Sequence, residues 1–170
     1  SEIVEGGILF CIGYGCFAAW LEPPGTAAAH VSKFGFGMIG IEVDALSATA
    51  TNARQIRDAI LAMPVEEGPP RIVLVGYSKG TPDILEAVLS YPEIHDRVAA
   101  VVSVAGAVGG SALADDSEQW QADLLRHWPK ADCDAGDGGG VASLRPEVRK
   151  AWLAQNPLPS NVRYYSLVTL

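Results

Sequence analysis

Positive charge is scarce in this chain. Its 12 Lys and Arg stand against 20 Asp and Glu, so the formal net charge is −8 over 170 residues. Proteins that bind nucleic acid neutralise phosphates with clustered Lys and Arg, and the sequence contains no basic cluster. The composition therefore predicts no nucleic-acid partner.

Cysteines and long apolar runs are also few. Cys11, Cys16 and Cys133 form an odd set without Cys-x-x-Cys spacing, which predicts neither a disulfide framework nor a zinc site. The longest uncharged run, residues 98–114, falls short of the roughly 20 apolar residues of a membrane span. We therefore expect one globular domain, residues 1–170, that is not an integral membrane protein and holds no metal or cofactor.

A signal peptide is not recognisable at the N-terminus. Glu2 and Glu5 occupy the place of a positive n-region, and the chain does not begin with Met. We expect a mature product or a fragment of a longer protein. The sequence assigns neither a compartment nor an oligomeric state.

The most informative stretch is residues 71–90. An apolar β-branched run at 72–75 leads into G-Y-S-K-G at 76–80, and apolar residues beyond Pro82 recur at helical spacing. This pattern predicts a strand, a sharp turn and a helix. Glycines flank the serine in such a Gly-x-Ser-x-Gly turn because a Cβ two residues away would collide with neighbouring backbone. The turn therefore predicts that Ser78 is an exposed nucleophile.

Lys79 follows the serine and begins the predicted helix. Its backbone N–H is one of the donors that a helix leaves unpaired, so it could stabilise negative charge that develops beside Ser78. The alternative interpretation is structural. In that case the glycines only permit a close turn in a doubly wound sheet, and Ser78 caps the helix.

A second glycine-rich turn follows the first predicted strand, residues 7–12. The sequence G-Y-G-C-F-A at 13–18 fits the dinucleotide fingerprint, so a Rossmann-type nucleotide-binding domain is a further alternative. It is disfavoured because W-L-E-P-P-G at 20–25 breaks the helix that the fingerprint must open. Beside a nucleophile turn, such a loop can instead present a second oxyanion N–H.

Strands and helices alternate along most of the chain. We predict helices from residue 26 to Gly35 and over 49–63, and strands over 36–43, 98–104 and 162–170. This rhythm indicates βαβ units. The predicted fold class is α/β, with a mainly parallel sheet and helices on both faces.

Residues 107–160 depart from this rhythm and predict a lid-like insertion over the active-site edge. We predict loosely amphipathic pieces at 117–127 and 146–155. The apolar side chains either line access to the site or pack the insertion onto the sheet; they are Trp120, Leu124, Leu125, Trp128 and Trp152. The acidic loop at 132–138 lacks the calcium ligands expected at its fifth and twelfth positions. We therefore expect a flexible glycine loop there.

These motifs together resemble the α/β-hydrolase family. The turn at 76–80, the earlier glycine loop and V-S-V-A-G-A-V-G-G-S at 102–111 are similar to the esterase and triacylglycerol-lipase-like branch with a G-[HY]-S-K-G elbow. The resemblance runs from about residue 8 to residue 170. It implies that Ser78 is the nucleophile and that the Lys79 N–H is one oxyanion donor. The Tyr14 N–H, or alternatively that of Gly15, is the other.

The resemblance also implies where the remaining catalytic residues belong. It places the acid after the last predicted strand and the histidine after one more strand, so we expect both beyond Leu170 and the fold to be incomplete at the C-terminus. The histidines of this chain are His30, His95 and His127. We expect surface or packing roles for them, although His127 could approach Ser78 if the insertion closed. Asp115 and Asp116 are the fallback for the acid.

The expected function is hydrolysis of small-molecule carboxylic esters, including esters with apolar acyl chains, by a serine mechanism. The runner-up is a non-catalytic domain of hydrolase fold that binds a ligand or partner. We expect the chain alone to hydrolyse esters poorly, because loss of one triad member leaves only residual catalysis. We also expect the side chains of Tyr14 and Lys79 to be dispensable, because oxyanion donors in this fold are backbone N–H groups.

Overall fold

The computed structural model describes residues 8–12, 25–44, 46–64, 72–115 and 136–168. The strands are β1 (Ile8–Ile12), β2 (Gly37–Ile41), β3 (Ile72–Tyr77), β4 (Val98–Val104) and β5 (Arg163–Leu167). The helices are α1 (Gly25–Ser32), α2 (Thr49–Ala62), α3 (Gly80–Ser90), α4 (Ala112–Asp115), α5 (Gly140–Ser143) and α6 (Pro146–Gln155), with a 3-10 helix at Pro92–Arg97. Strands and helices alternate up to β4, as the sequence predicts.

The described strands form one sheet in the order β2-β1-β3-β4-β5. Every neighbouring pair is parallel, so the carboxyl ends of all five strands lie at one edge of the sheet. The predicted α/β class with a mainly parallel sheet is confirmed. Strand β3 lies at the centre, and its carboxyl end carries the Gly-x-Ser-x-Gly turn to the middle of that edge.

The hydrophobic core lies between the sheet and the helix pair α2 and α3. Apolar residues recur on one face of each helix, and Ile56, Ile60, Ile84 and Val88 are fully buried against Leu74 of β3. Burial of a side chain of this size contributes about 1.5–3 kcal/mol. The start of α3, two residues after Ser78, therefore rests on this buried core.

The insertion predicted at 107–160 is described in two parts. Its first part contains α4, and its second contains α5 and α6, with no strand in either. The loosely amphipathic piece predicted at 117–127 lies outside the described residues, together with Trp120, Leu124, Leu125 and Trp128. Across the described ranges, every helix is too short or too polar to cross a membrane.

Candidate active site

Ser78 occupies the turn between β3 and α3 in a strained conformation. Its φ is +50°, in the left-handed region that residues other than glycine seldom adopt. Its N–H donates to the Val104 carbonyl at 3.1 Å, and its carbonyl accepts from the N–H groups of Thr81 at 3.2 Å and Ala107 at 3.1 Å. Backbone hydrogen bonds from α3 and from the loop after β4 thus hold the strained residue in place.

Sterics explain why glycine stands two residues before the serine. A Cβ at Gly76 would lie 2.6 Å from the Thr81 Cα, a distance that backbone cannot accommodate without moving. The Thr81 hydroxyl also donates to the Gly76 carbonyl at 2.8 Å. A Cβ at Gly106, in the loop after β4, would overlap the side chains of Ser103 and Thr81. The predicted collision of a Cβ with neighbouring backbone is confirmed at Gly76.

The Ser78 side chain is exposed. Its hydroxyl makes no hydrogen bond to any group in the described ranges, and α3 has Lys79 as its N-cap without a side-chain cap. The alternative in which Ser78 caps the helix is therefore wrong: Lys79 is the N-cap, and Ser78 takes part in the turn through its backbone hydrogen bonds.

Lys79 is the first residue of the turn with helical dihedral angles, at φ −59° and ψ −29°. Its N–H is among the donors that α3 leaves without an intrahelical acceptor, and nothing in the described part of the chain accepts a hydrogen bond from it. The other predicted donors, Tyr14 and Gly15, lie outside the described residues.

The Lys79 side chain forms a buried ion pair with Asp83 on the first turn of α3. The Lys79 Nζ lies 3.0 Å from both carboxylate oxygens, and the two side chains are 17% and 1% exposed. Asn52 of α2 donates a further hydrogen bond to the Asp83 carboxylate at 2.9 Å. Burial raises the pKa of Asp83 to about 6, although the Lys79 charge and the hydrogen bond from Asn52 oppose the shift. The carboxylate is thus ionised at neutral pH.

A second buried charge reaches this cluster from the insertion. Arg149 of α6 is 1% exposed and lies 4.0 Å from Glu86 of α3. Its guanidinium is 4.3 Å from the ring centroid of Trp152, which itself packs against the hydrophobic core. For Trp152 the structure therefore favours the packing interpretation, in which the aromatic residue holds the insertion down on the sheet.

Residues 136–140, here named the docking loop, join the insertion to α2. The Asp137 carboxylate accepts hydrogen bonds from the Ala48 N–H at 2.8 Å and from the Thr51 hydroxyl. It thereby caps the N-terminus of α2, whose own N-cap residue, Ala48, supplies no side-chain cap. These hydrogen bonds, that of Thr51 foremost, lower the pKa of Asp137. Residues 136–138, the described part of the predicted flexible glycine loop, are thus hydrogen-bonded to the start of α2, and the Asp137 N–H also donates to the Ser47 hydroxyl at 3.0 Å. The mobility of the loop stays a prediction.

The described histidines lie away from Ser78. His95 is in the 3-10 helix before β4, with its Nε2 2.6 Å from the Val88 carbonyl. Because β4 has seven residues, its two ends are about 20 Å apart, and His95 lies at the opposite edge of the sheet from Ser78. His30 is exposed near the end of α1 and contacts Phe34. His127 lies outside the described residues.

The carboxylates near the site do not form a metal centre within the described ranges. There, no group of three or more His, Cys, Asp and Glu side chains is arranged to hold a metal ion. Asp115, the described one of the two fallback acids, is exposed at the end of α4, and Asp116 lies outside the described part.

Comparison with known proteins identifies the fold family. No family model matches the chain, and neither does any curated protein. Among solved structures, a metagenomic carboxyl esterase is 34% identical to this chain, with a TM-score of 0.83. The match covers 97% of this chain and 50% of the esterase chain. This chain is an α/β-hydrolase. The α/β-hydrolase spans about half of the esterase's length.

More distant structures share the fold of this α/β-hydrolase. The mature lipase of Bacillus licheniformis is 22% identical, with a TM-score of 0.71 over 97% of this chain and 66% of the lipase. A phospholipase from Legionella pneumophila is 16% identical, with a TM-score of 0.57 over 94% of this chain and 38% of the phospholipase. The predicted resemblance is confirmed at the level of family and fold, and the fold leaves the Rossmann-type alternative without support.

Sequence reasoning missed the buried polar cluster beneath the elbow. One local signal was available, because Lys79 and Asp83 are four residues apart at the start of a predicted helix, where such a pair can form and where an acidic residue is favourable. No comparable signal links either residue to Asn52 or Arg149, since those contacts arise only when α2 and α6 pack beside α3.

Proposed function

We propose that this α/β-hydrolase is a serine hydrolase of carboxylic esters. The observation that carries the proposal is the strained and exposed Ser78 at the central strand-to-helix turn of the carboxyl edge. A left-handed serine costs about 1–3 kcal/mol and persists only where its surroundings hold it. A conformation of that kind, which presents a hydroxyl to solvent without using it for capping, is typical of a nucleophile elbow.

In the proposed reaction the Ser78 Oγ attacks the carbonyl carbon of the ester. A general base takes the hydroxyl proton and passes it to the departing alkoxide, so that an alcohol leaves and an acyl-serine remains. Water, deprotonated by the same base, then attacks the acyl carbon and releases the carboxylic acid with return of the proton to Ser78. The base and the acid that orients it are assigned to no described residue, and we expect them at the family's positions beyond Leu170.

The negative charge that develops on the carbonyl oxygen needs donors that are already in place. We assign one to the Lys79 N–H, which belongs to the residue after the nucleophile and lies at the positive end of α3. The second is the N–H of Tyr14, or alternatively of Gly15, in the loop after β1. Removing one such donor typically costs 10²–10³-fold in kcat.

The substrate class follows from the relatives and from the surface beside Ser78. The 34% identical relative is a carboxyl esterase. Tyr77, which directly precedes Ser78 at the end of β3, is 54% exposed, so an aromatic side chain adjoins the nucleophile. We therefore propose small-molecule esters, including those with an apolar acyl chain, and a lid-like role for residues 107–160.

The test is covalent labelling by a fluorophosphonate together with turnover of a p-nitrophenyl ester. Both are measured for the 170-residue chain and for a longer protein that contains it. Labelling and turnover should depend on Ser78 and disappear in Ser78→Ala. The matched control is Ser90→Ala, an exposed serine at the far end of the same helix, which should leave both unchanged. Equal labelling of the Ser78→Ala protein would rule out the assignment.

The same assay locates the base. We expect the 170-residue chain to turn over the ester poorly. Robust turnover that depends on Ser78 and collapses in His30→Ala, His95→Ala or His127→Ala would instead identify that histidine as the base within this chain.

A second candidate is a non-catalytic hydrolase-fold domain that binds a ligand or partner. The observation in its favour is that both histidines of the described ranges lie away from Ser78. It predicts that Ser78 stays unlabelled in the longer protein as well as in this chain, whereas the hydrolase predicts labelling once acid and base are present.

A further inference from the structure

Lys79 has a side chain as well as a backbone N–H at this site, and the side chain is buried beside Asp83. We propose that the buried Lys79–Asp83 ion pair is a positioning device that holds the Lys79 backbone N–H in the direction required by the oxyanion. Lys79 and Asp83 are thus positioning residues for the proposed ester hydrolysis, on which this inference rests. The ammonium itself takes no part in bond making.

The argument begins with the peptide that joins Ser78 to Lys79. A peptide group is planar, so its N–H points away from its carbonyl oxygen and lies in the same plane. The Ser78 carbonyl accepts hydrogen bonds from the Thr81 and Ala107 N–H groups, which fix one side of the plane. The direction of the N–H is then determined once the Lys79 Cα at the other corner is also fixed.

The ion pair fixes that corner. The Lys79 Nζ binds both oxygens of the Asp83 carboxylate at 3.0 Å, and the Asp83 N–H donates to the Lys79 carbonyl at 3.3 Å. Side chain and backbone of Lys79 are therefore both tied to the same residue one helical turn on. Rotation of the Ser78–Lys79 peptide would require the ammonium to leave a buried carboxylate.

Asp83 is itself anchored outside α3. Asn52 of α2 donates through its Nδ2 to the Asp83 carboxylate at 2.9 Å and to the Asp44 carbonyl at 3.0 Å. Asp44 follows β2, at the same carboxyl edge as Ser78. The Asp44 carboxylate accepts from Ser47 and Gln55 at 3.3 and 3.1 Å. The chain of contacts therefore ties the elbow to α2 and to the end of a second strand.

The charges around the pair favour an ionised Asp83 at neutral pH. Two positively charged groups, Lys79 at the elbow and Arg149 of α6, interact with the Asp83 carboxylate. Three further carboxylates interact with partners of Asp83: Glu86 with Arg149, Asp137 with Lys79, and Asp44, whose backbone carbonyl binds Asn52. Lys79 and Arg149 lower the pKa of Asp83 and so favour its ionised form. Burial opposes them and raises the pKa of Asp83 to about 6, so the pair is charged in the neutral range and weakens below it.

A purely structural role for the pair makes a different prediction. Breaking a buried ion pair by removing one partner destabilises the fold because it leaves a buried charge uncompensated. If stability were the whole role, every part of the fold would loosen together and kcat per folded molecule would not change. A positioning role predicts a local change at the elbow and a loss in kcat without a matching change in KM.

The test uses five variants with matched chemistry. They are Lys79→Met, which keeps the aliphatic stem, Lys79→Arg, which keeps the charge, Asp83→Asn, the double variant Lys79→Met/Asp83→Asn, and the control Glu93→Gln. The control removes an exposed carboxylate from the 3-10 helix before β4, at the opposite edge of the sheet from the elbow. Two quantities are measured. The first is kcat and KM for a p-nitrophenyl ester in unlabelled protein, in whichever of the 170-residue chain and the longer protein a separate fluorophosphonate sample shows to react at Ser78. The second is amide hydrogen exchange residue by residue.

We expect Lys79→Met and Asp83→Asn each to lower kcat by roughly 10- to 10²-fold, with KM within about two-fold, because a displaced catalytic group costs up to about that much. The double variant should be no worse than either single one, and Lys79→Arg should recover most of the rate. Exchange should quicken about ten-fold at the N–H groups of Ser78, Thr81 and Ala107 but not in the second half of α3. Glu93→Gln should change neither quantity.

Three results would decide against positioning or against the proposed function. Unchanged kcat and unchanged exchange at the elbow in Lys79→Met overturn positioning. Uniformly faster exchange with an unchanged kcat also overturns it, since the pair is then structural only. If the longer protein is never labelled at Ser78 but the elbow still loosens in Lys79→Met, the proposed function fails while the hold of the pair on the elbow stands.

This inference revises the sequence-based expectation that the Lys79 side chain is dispensable. Under the present geometry, a loss of activity in Lys79→Ala does not mean that the ammonium contacts the substrate. It is the expected result of leaving the Asp83 carboxylate without its partner.

Discussion

The elbow at 76–81 and the docking loop at 136–140 both reach the carboxyl edge of the sheet, and different forces hold them there. At the elbow, a missing Cβ and hydrogen bonds to the Ser78 backbone determine the conformation. In the docking loop, the side chain of Asp137 does so by binding Thr51, 86 positions earlier in the chain. The first arrangement is readable in a short motif, whereas the second depends on packing.

The elbow and the docking loop also differ in how they affect the stability of the fold. The elbow combines a left-handed serine with a buried carboxylate, both unfavourable in isolation. The docking loop accepts a hydrogen bond from the Ala48 N–H, which the start of α2 would otherwise leave unpaired. We therefore expect changes at the elbow to affect stability more strongly, and in both directions, than changes in the docking loop.

The largest effect is expected for Gly76→Ala. A Cβ there would lie 2.6 Å from the Thr81 Cα, so α3 must shift from β3, and we expect the free energy of unfolding to fall by about 3 kcal/mol or more. The control is Gly109→Ala, because nothing lies within 4 Å of a Cβ at that position and the change should stay within about 0.5 kcal/mol. Urea unfolding compares the two. Equal losses would mean that the elbow is not sterically determined.

The next effect concerns pH and the buried carboxylate at the elbow. Asp83 has a folded-state pKa of about 6 against an ordinary 3.8, so between these values the folded state holds a proton that the unfolded state has lost. Stability should therefore decrease as pH rises through this window, by up to about 3 kcal/mol in all.

The pH effect is measured as the difference between two stability curves. Thermal or urea unfolding of the original protein and of Asp83→Asn is followed across the window, and only the former should show the decline. Glu93→Gln, which removes an exposed carboxylate, should retain it. A decline that persists in Asp83→Asn would assign it to another group.

A smaller effect is expected in the docking loop. Asp137→Ala removes the cap of α2 and should lower the free energy of unfolding by about 1 kcal/mol. Hydrogen bonds lower the pKa of Asp137, so its contribution is present above the ordinary value of 3.8 and is lost as pH falls through the folded-state value. In the control, Asp58→Ala, an exposed carboxylate is removed, and the change should stay within about 0.5 kcal/mol. No difference between these variants would mean that Asp137 is not a cap.

The smallest effect is a gain. Ser78→Gly removes the cost of the left-handed conformation, so we expect the free energy of unfolding to rise by about 0.5–1 kcal/mol. Ser78→Ala keeps a Cβ and should bring no such gain, although both variants lack the hydroxyl. Chemical unfolding of the two proteins isolates the strain from the chemistry, and an equal stability of the two would indicate that the elbow stores no strain.

Some features of the site were predictable because their causes lie within a few residues. The glycine at 76, the strand before Ser78 and the amphipathic helix after it follow from local sterics and periodicity. Strand β4 and helix α6 occupy their predicted ranges, and α2 ends one residue earlier than predicted. The resemblance to α/β-hydrolases, read from three glycine-containing motifs, is confirmed by comparison with solved structures.

The order of the sheet, the burial of Asp83 and the capping by Asp137 could not be predicted in the same way. Each depends on which elements become neighbours, and the sequence carries no local mark of that choice. The contact of Asp137 with Thr51 has no local signal either, because Thr51 lies on a helix that only the fold brings close.

The sequence by itself determined the alternation of elements, the tight turn at Ser78 and the family, since backbone sterics and hydrophobic periodicity act over distances of a few residues. The tertiary structure alone decided that Lys79 faces a buried carboxylate held by Asn52. The pKa of that carboxylate and its hold on the elbow both arise from desolvation and from groups on other elements, and these exist only after α2, α3 and α6 have packed together.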